Sequence, residues 1–262
     1  MTTTIALAGK GGVGKTTVAG MVIKYLAQTQ PGAILAIDAD PSANLNMVLG
    51  LDLEWTVGDI REGLLDKVKE SLTAGGAAMG TLEGGMNKRD YLDYEIRTAL
   101  SEGKRFDLIA MGRSEGPGCY CAVNHNLRDV IDSISKNYRY VVIDNEAGLE
   151  HLSRRTTRDV QVMLIISDPT QRGIVAAERI AELRKELDIN VENAYLIVNR
   201  LNSESVPDAL QKRIDAIDLP LLGTIPSNDD LLEFEFSGRP LIELGDDSPV
   251  YEAVAAMLKG VL

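Results

Sequence analysis

With 262 residues, 45% of them hydrophobic and 25% charged, the chain is long enough to bury a sizeable core as one large α/β domain. Its net charge of −12 argues against unaided binding to a polyphosphate backbone, so nucleic acid is not an expected partner. The first apolar run is broken by Gly9 and Lys10, and no stretch approaches the roughly 18 uninterrupted apolar residues of a membrane span; no membrane association and a cytoplasmic location are expected.

Apolar, β-rich runs at residues 5–8, 34–37, 108–111, 140–143, 162–166, 194–198 and 222–225 alternate with helix-length segments at 15–29, 126–135, 173–187, 207–217 and 248–261. Repeated βαβ units of this kind bury a parallel sheet on both faces. The pattern predicts one doubly wound α/β domain over residues 1–262, with a mostly parallel sheet of seven to eight strands flanked by helices. Residues 55–104 interrupt it as a helical insertion around the glycine-rich stretch 75–85.

Directly after the first strand, Gly9-Lys10-Gly11-Gly12-Val13-Gly14-Lys15-Thr16, followed by Thr17, matches the phosphate-loop pattern G-x-x-x-x-G-K-[ST] and opens a helix. Glycines let successive N–H groups face phosphate oxygens; Lys15 adds charge and the Thr16 hydroxyl can ligate Mg²⁺. The second strand ends in Asp38-Ala39-Asp40-Pro41 at the carboxyl edge of the sheet, where α/β ligand sites gather. Alternation puts both carboxylates on one side of the chain, one able to order magnesium-bound water and the other to orient the attacking water. A turn with a helix cap fits the same residues.

The two cysteines, Cys119 and Cys121, follow the turn-forming run Gly116-Pro117-Gly118, which places them on an exposed loop. A disulfide between such near neighbours would close a strained ring, so free thiols are expected. One chain then offers half of a tetrahedral thiolate site, and a two-fold axis would complete it for Zn²⁺ or Ni²⁺; two incidental cysteines remain the bland alternative. Residues 140–144 form an apolar strand ending in Asp144, the arrangement that holds magnesium through water, and Gly148 four residues on can offer an N–H to the γ-phosphate. The sixth strand runs into Asn199-Arg200-Leu201-Asn202, where the guanine-reading pattern Asn-Lys-x-Asp would carry aspartate. Pro226, Ser227 and Asn228 follow the last strand as a turn.

The run KGGVGKTT resembles the deviant phosphate-loop ATPases, the family of the nitrogenase iron protein and the division-site and partition ATPases. That resemblance implies an ATP-dependent, Mg²⁺-requiring homodimer in which Lys10 reaches the partner's nucleotide, as an arginine finger does, Asp40 is the catalytic carboxylate beside Lys10 and Lys15, and Asp38 is the magnesium-side one. It narrows, through the DADP switch, GCYC, EAGLEHLSRRT at residues 146–156 and the Ile-Pro-x-Asn turn, to the CooC-type nickel-insertion ATPases. The resemblance spans nearly the whole chain and implies ATP and ADP as nucleotides, with Asn199, Arg200, Pro226 and Asn228 at the base. It further implies Ni²⁺ or Zn²⁺ shared between paired Cys119 and Cys121, and carbon monoxide dehydrogenase or acetyl-CoA synthase as client. His151 fits a metal, switch or helix-cap role, and His125 is read as structural. The stretch 75–85 departs from the pattern and leaves the client open. A partition or division-site ATPase, whose dimer would control DNA or membrane binding, is the competing reading; it calls for a basic face or basic terminal helix, and residues 250–262 hold only Lys259.

Overall fold

The computed structural model describes residues 2–73, 87–113, 121–146, 159–186, 190–203 and 205–262. Within them the strands are β1 (Thr3–Gly9), β2 (Ile34–Asp38), β3 (Ser101–Glu102), β4 (Phe106–Ala110), β5 (Tyr140–Asp144), β6 (Asp159–Ser167), β7 (Asn190–Leu201) and β8 (Leu221–Pro226). The helices are α1 (Lys15–Thr29), α2 (Leu45–Leu49), α3 (Val57–Thr73), α4 (Lys88–Thr98), α5 (Cys121–Ser135), α6 (Gln171–Glu186), α7 (Asp208–Ile214), α8 (Asp230–Ser237) and α9 (Pro249–Leu258), with a 3₁₀ turn at Leu241–Glu243. Among the described residues no helix is long and apolar enough to cross a membrane.

The strands form one eight-stranded sheet in the order β3-β4-β2-β5-β1-β6-β7-β8. Every pairing is parallel except that of the two-residue edge strand β3 with β4. Alternation along each buried strand divides the core between two faces. On β1, Ala6 and Ala8 join the cluster built from α3, α4, α5, α6 and α7, while Ile5 and Leu7 join that of α1, α2 and α9. Register brings the carboxyl ends of the central strands level, with Asp38 opposite Asp144 and Leu7 also opposite Asp144. That common edge is where a phosphate-binding crevice forms in such sheets.

The expected doubly wound architecture is the one observed, and the first helix has the expected bounds. Several details differ. The strand expected at 108–111 begins at Phe106, which pairs with Ile34. The antiparallel β3 and the short α2 and α8 are too brief to leave a periodic signal. Helix α5 begins at Cys121 rather than at residue 126, so Cys121 is the first helical residue and not a loop residue; the glycine and proline breakers end at Gly118 and nothing from Cys121 onward blocks a helix. Helix α9 follows Ser248 with Pro249 in its first turn, a position where the missing N–H costs nothing.

Two contacts fix the elements that frame the carboxyl edge. Lys24 of α1 is buried, pairs with Asp246 at 2.8 Å and lies 4.5 Å from the Tyr251 ring centre, which ties α1 to the segment leading into α9. Gly20 of α1 lies against α2: a Cβ there would stand 2.3 Å from Val48 Cγ1. Alanine at this site gains about 1 kcal/mol of helix propensity, but the clash outweighs it. Gly20→Ala is therefore expected to destabilise the protein by roughly 1–2 kcal/mol in urea unfolding, and Val48→Ala in the same chain should recover most of the loss. Equal stability of Gly20→Ala and the parent would show that α2 can move away freely.

Candidate nucleotide site

The phosphate loop occupies the turn between β1 and α1. Gly12 and Gly14 take left-handed φ values of 78° and 90°, which side chains disfavour. Lys15 is buried, while Lys10 is exposed. Burial lowers the Lys15 pKa, opposed by the carboxylates of Asp144, Asp40 and Glu146. Its ammonium donates to the Lys10 carbonyl at 3.3 Å, a long bond that a phosphate oxygen can readily replace.

The end of β7 holds this loop from behind. Asn199 Nδ2 donates to the Val13 carbonyl at 2.8 Å, and Arg200 Nη1 donates to the Gly12 carbonyl at 2.9 Å. Asn199 Oδ1 in turn accepts from the Arg200 N–H at 2.9 Å. No peptide bond in the described chain is cis. In a trans peptide the N–H lies opposite the C=O, so fixing these two carbonyls towards β7 aims the N–H groups of Val13 and Gly14 the other way, into the loop. Asn199 and Arg200, expected at the base, thus have their side chains engaged by the phosphate loop. Arg200 and Ala43 are the two non-glycine residues with positive φ among those described, at 60° and 47°, and both lie on this edge.

Asp38 is buried, and each of its oxygens accepts a backbone N–H: Asp40 at 3.1 Å and Leu45 at 2.9 Å. The predicted pair of carboxylates therefore divides its work. Asp38 shapes the turn that presents Asp40, and burial raises its carboxyl to about 6. Asp40 remains partly exposed, accepting the Ser42 N–H at 2.8 Å and standing within electrostatic reach of Lys15. Pro226 ends β8 opposite Leu201, and Asn228 Oδ1 accepts the Asp230 N–H at 2.7 Å, so Asn228 braces the first turn of α8.

Asp144 is buried and hydrogen-bonded to the Thr16 side chain; burial, with Asp38 adding to it, lifts its carboxyl to about 7. Among the described residues, Asp144 Oδ1 and the neighbouring Asn145 Oδ1 are buried acceptors without a protein donor. Asn145 Nδ2 donates to the Leu7 carbonyl at 2.7 Å, a lock between β5 and β1 that an asparagine after an apolar strand did not announce. Two orphan acceptors beside a threonine hydroxyl fit a hydrated divalent cation. Thr16 would ligate Mg²⁺ directly and Asp144 through water.

Gly148, residues 75–85, Glu150, His151 and Cys119 lie outside the described residues, and of Cys121 and His125 only the backbone is described. Among the described residues no group of three or more His, Cys, Asp or Glu side chains could hold a metal ion.

The family model for the CobQ/CobB/MinD/ParA nucleotide binding domain matches residues 4–241. The chain belongs to that family. Among CobQ/CobB/MinD/ParA domains it is 42% identical over 258 residues to an uncharacterized ATP-binding protein of Methanocaldococcus jannaschii, covering 98% of both chains. It is 29% identical over 262 residues to the carbon monoxide dehydrogenase accessory protein CooC of Rhodospirillum rubrum, covering 98% of this chain and 97% of that one. Its fold matches the MinD cell division protein of Aquifex aeolicus with a TM-score of 0.67 at 24% identity, over 98% of this chain and 95% of that one.

Two outcomes test the site. Loss of the rear clamp should reduce nucleotide affinity without unfolding the domain: Asn199→Ala frees the Val13 carbonyl and is expected to weaken binding of a fluorescent ATP analogue about tenfold. Arg200→Gly, which relieves the positive φ but drops the Gly12 contact, should weaken it less; full affinity in both variants would dismiss the clamp. For Asp144, the raised carboxyl means the folded state holds the proton more tightly than the unfolded state. The stability so gained is fully present below the unfolded value of 3.8 and is lost as pH rises through about 7. Asp144→Asn should thus raise the stability of magnesium-free protein near pH 8 by roughly 1–3 kcal/mol and have little effect near pH 4. A gain independent of pH in thermal melts would contradict this account.

Proposed function

We propose that the protein is an ATPase whose nucleotide state controls a homodimer, and that the dimer carries nickel, as substrate, between paired Cys119-x-Cys121 motifs for insertion into carbon monoxide dehydrogenase or acetyl-CoA synthase. The observation that carries the reading is the position of the cysteine motif. The chain leaves β4 at Ala110, which is paired with Asp38, and re-enters described structure at Cys121, the first residue of α5. The motif therefore spans the end of the connection that starts beside the Asp38–Asp40 turn and the first residue of α5. The 29% likeness to the CooC accessory protein supports the same reading.

In this scheme the N–H groups of Val13 and Gly14 and the Lys15 ammonium hold the triphosphate, and the exposed Lys10 reaches across the dimer to the partner's nucleotide. Asp40 orients the attacking water. Thr16, and Asp144 through water, would hold Mg²⁺, which would supply neutralisation of the phosphate charge. Closure brings two pairs of thiolates to one two-fold axis, and hydrolysis lets them separate.

The competing reading, a division-site or partition ATPase, draws on the shared family and fold. Helix α9 gives it no support as a membrane anchor: Val250, Tyr251, Val254, Met257 and Leu258 are buried against the sheet.

Metal analysis of purified protein with a non-hydrolysable ATP analogue decides the matter. About one nickel or zinc ion per two chains is expected, lost in Cys119→Ser and in Cys121→Ser. Asp40→Ala should bind ATP and accumulate as a dimer by light scattering. One ion per chain, unaffected by either serine, would remove the bridging site while leaving the ATPase switch to be judged by the Asp40→Ala dimer.

A further inference from the structure

Helix α8 leaves the nucleotide edge with its outer face uncovered. Phe236 is 88% exposed and Leu232, one turn earlier, is 51% exposed. The helix is anchored by its other side, where Leu231 and Phe234 pack onto the α1, α2 and α9 cluster. Met47, Trp55 and Tyr94, also strongly exposed among the described residues, lie apart in the sequence, none within a helical turn of another. Scattered apolar side chains need no explanation, whereas a pair at helical spacing makes a stripe.

Carboxylates surround that stripe. At the helical angle, Asp229 and Glu233 border it on one side and Glu235 on the other. All three are exposed, and among the described residues none forms an ion pair. Some surface acids elsewhere do meet bases, as in Arg97–Asp93, Arg213–Glu178 and Lys185–Asp218. The nearby Arg239 lies over the Phe234 ring and beside Glu243 instead. Helix-dipole compensation accounts for acids in the first turn but not for Glu235 near the other end.

We propose that α8 is a docking surface for a basic amphipathic segment of a partner protein, with Phe236 and Leu232 as the apolar anchors and Asp229, Glu233 and Glu235 as the charged rim. Charge selects this occupant. An anionic membrane or a nucleic acid meets the rim with like charge. A second copy docked face to face would set carboxylates against carboxylates. A helix with leucines on one side and lysines beside them satisfies both features. The surface also adjoins the nucleotide edge: the Ser227 N–H donates to the Leu201 carbonyl at 3.1 Å, next to the Arg200 that holds Gly12. The proposal stands on α8 alone and does not depend on the metal-carrier reading.

The test is fluorescence anisotropy of a labelled synthetic peptide of about 18 residues with Leu on one helical face and Lys on the flanks, measured on the full chain at low salt. A scrambled isomer of the same composition is the control. The wild type is expected to bind the amphipathic peptide at least tenfold more tightly than the isomer, and Phe236→Ser to lose about tenfold. The triple change Asp229→Asn, Glu233→Gln, Glu235→Gln should weaken binding several-fold and flatten its salt dependence. Circular dichroism and nucleotide affinity, unchanged in these surface variants, establish that the fold is kept. Equal binding of both peptides, or undiminished binding by Phe236→Ser, overturns the proposal. So does a dimer in the absence of peptide that Phe236→Ser abolishes, or binding to anionic lipid vesicles that depends on Phe236, since these assign the face to a second copy or to a membrane.

Discussion

The orientation of two peptide planes, Gly12–Val13 and Val13–Gly14, is the constraint on which the nucleotide site depends. A glycine-rich loop is free to point its amides in many directions, and that freedom must be removed before the loop can serve phosphate. Here it is removed from outside the loop, by Asn199 and Arg200 at the end of β7, two strands away from β1 in the sheet. The sheet is rigid because it is packed on both faces, so it transmits that placement with little slack. Arg200 holds its contact from a left-handed backbone that an arginine disfavours, a local cost carried where the loop needs a fixed support.

A second constraint acts between charges. Asp38 and Asp144 face each other across adjacent strands, both buried, with Lys15 buried nearby. Burial raises the pKa of both acids and lowers that of the lysine, a desolvation cost of the kind that a bound triphosphate and divalent ion would offset. Instability of this kind is distributed over the same edge that contains the Asp40 turn. Two N–H bonds to Asp38 hold the shape of that turn.

The sheet and the phosphate loop were legible in the chain because their signals are local and dense. Apolar runs at strand length, spaced by helix-length segments, permit few folds other than a doubly wound sheet, and Gly9 to Thr16 combine a motif with the strand-to-helix context it needs. The division of labour between Asp38 and Asp40 was not legible. Their spacing is equally that of a magnesium-side and a water-orienting carboxylate or of a turn with its helix cap, and only the positions of the Asp40 and Leu45 amides show Asp38 shaping the turn. The hold of Asn199 and Arg200 on the phosphate loop was hidden for a related reason: their partners, Val13 and Gly12, lie 186 and 188 residues away in sequence, beyond any local pattern.

What the sequence determined by itself is the chemistry available at each strand end: a lysine and a threonine after β1, carboxylates after β2 and β5, an amide and a guanidinium after β7. What the tertiary structure decided is which of these groups meet. The strand order places β5 between β2 and β1, which brings Asp144 to Asp38 and Thr16, and the register sets their heights along the edge. Side-chain identity is written residue by residue, whereas adjacency in a parallel sheet arises from long crossovers whose pairing the chain settles only when both faces are buried.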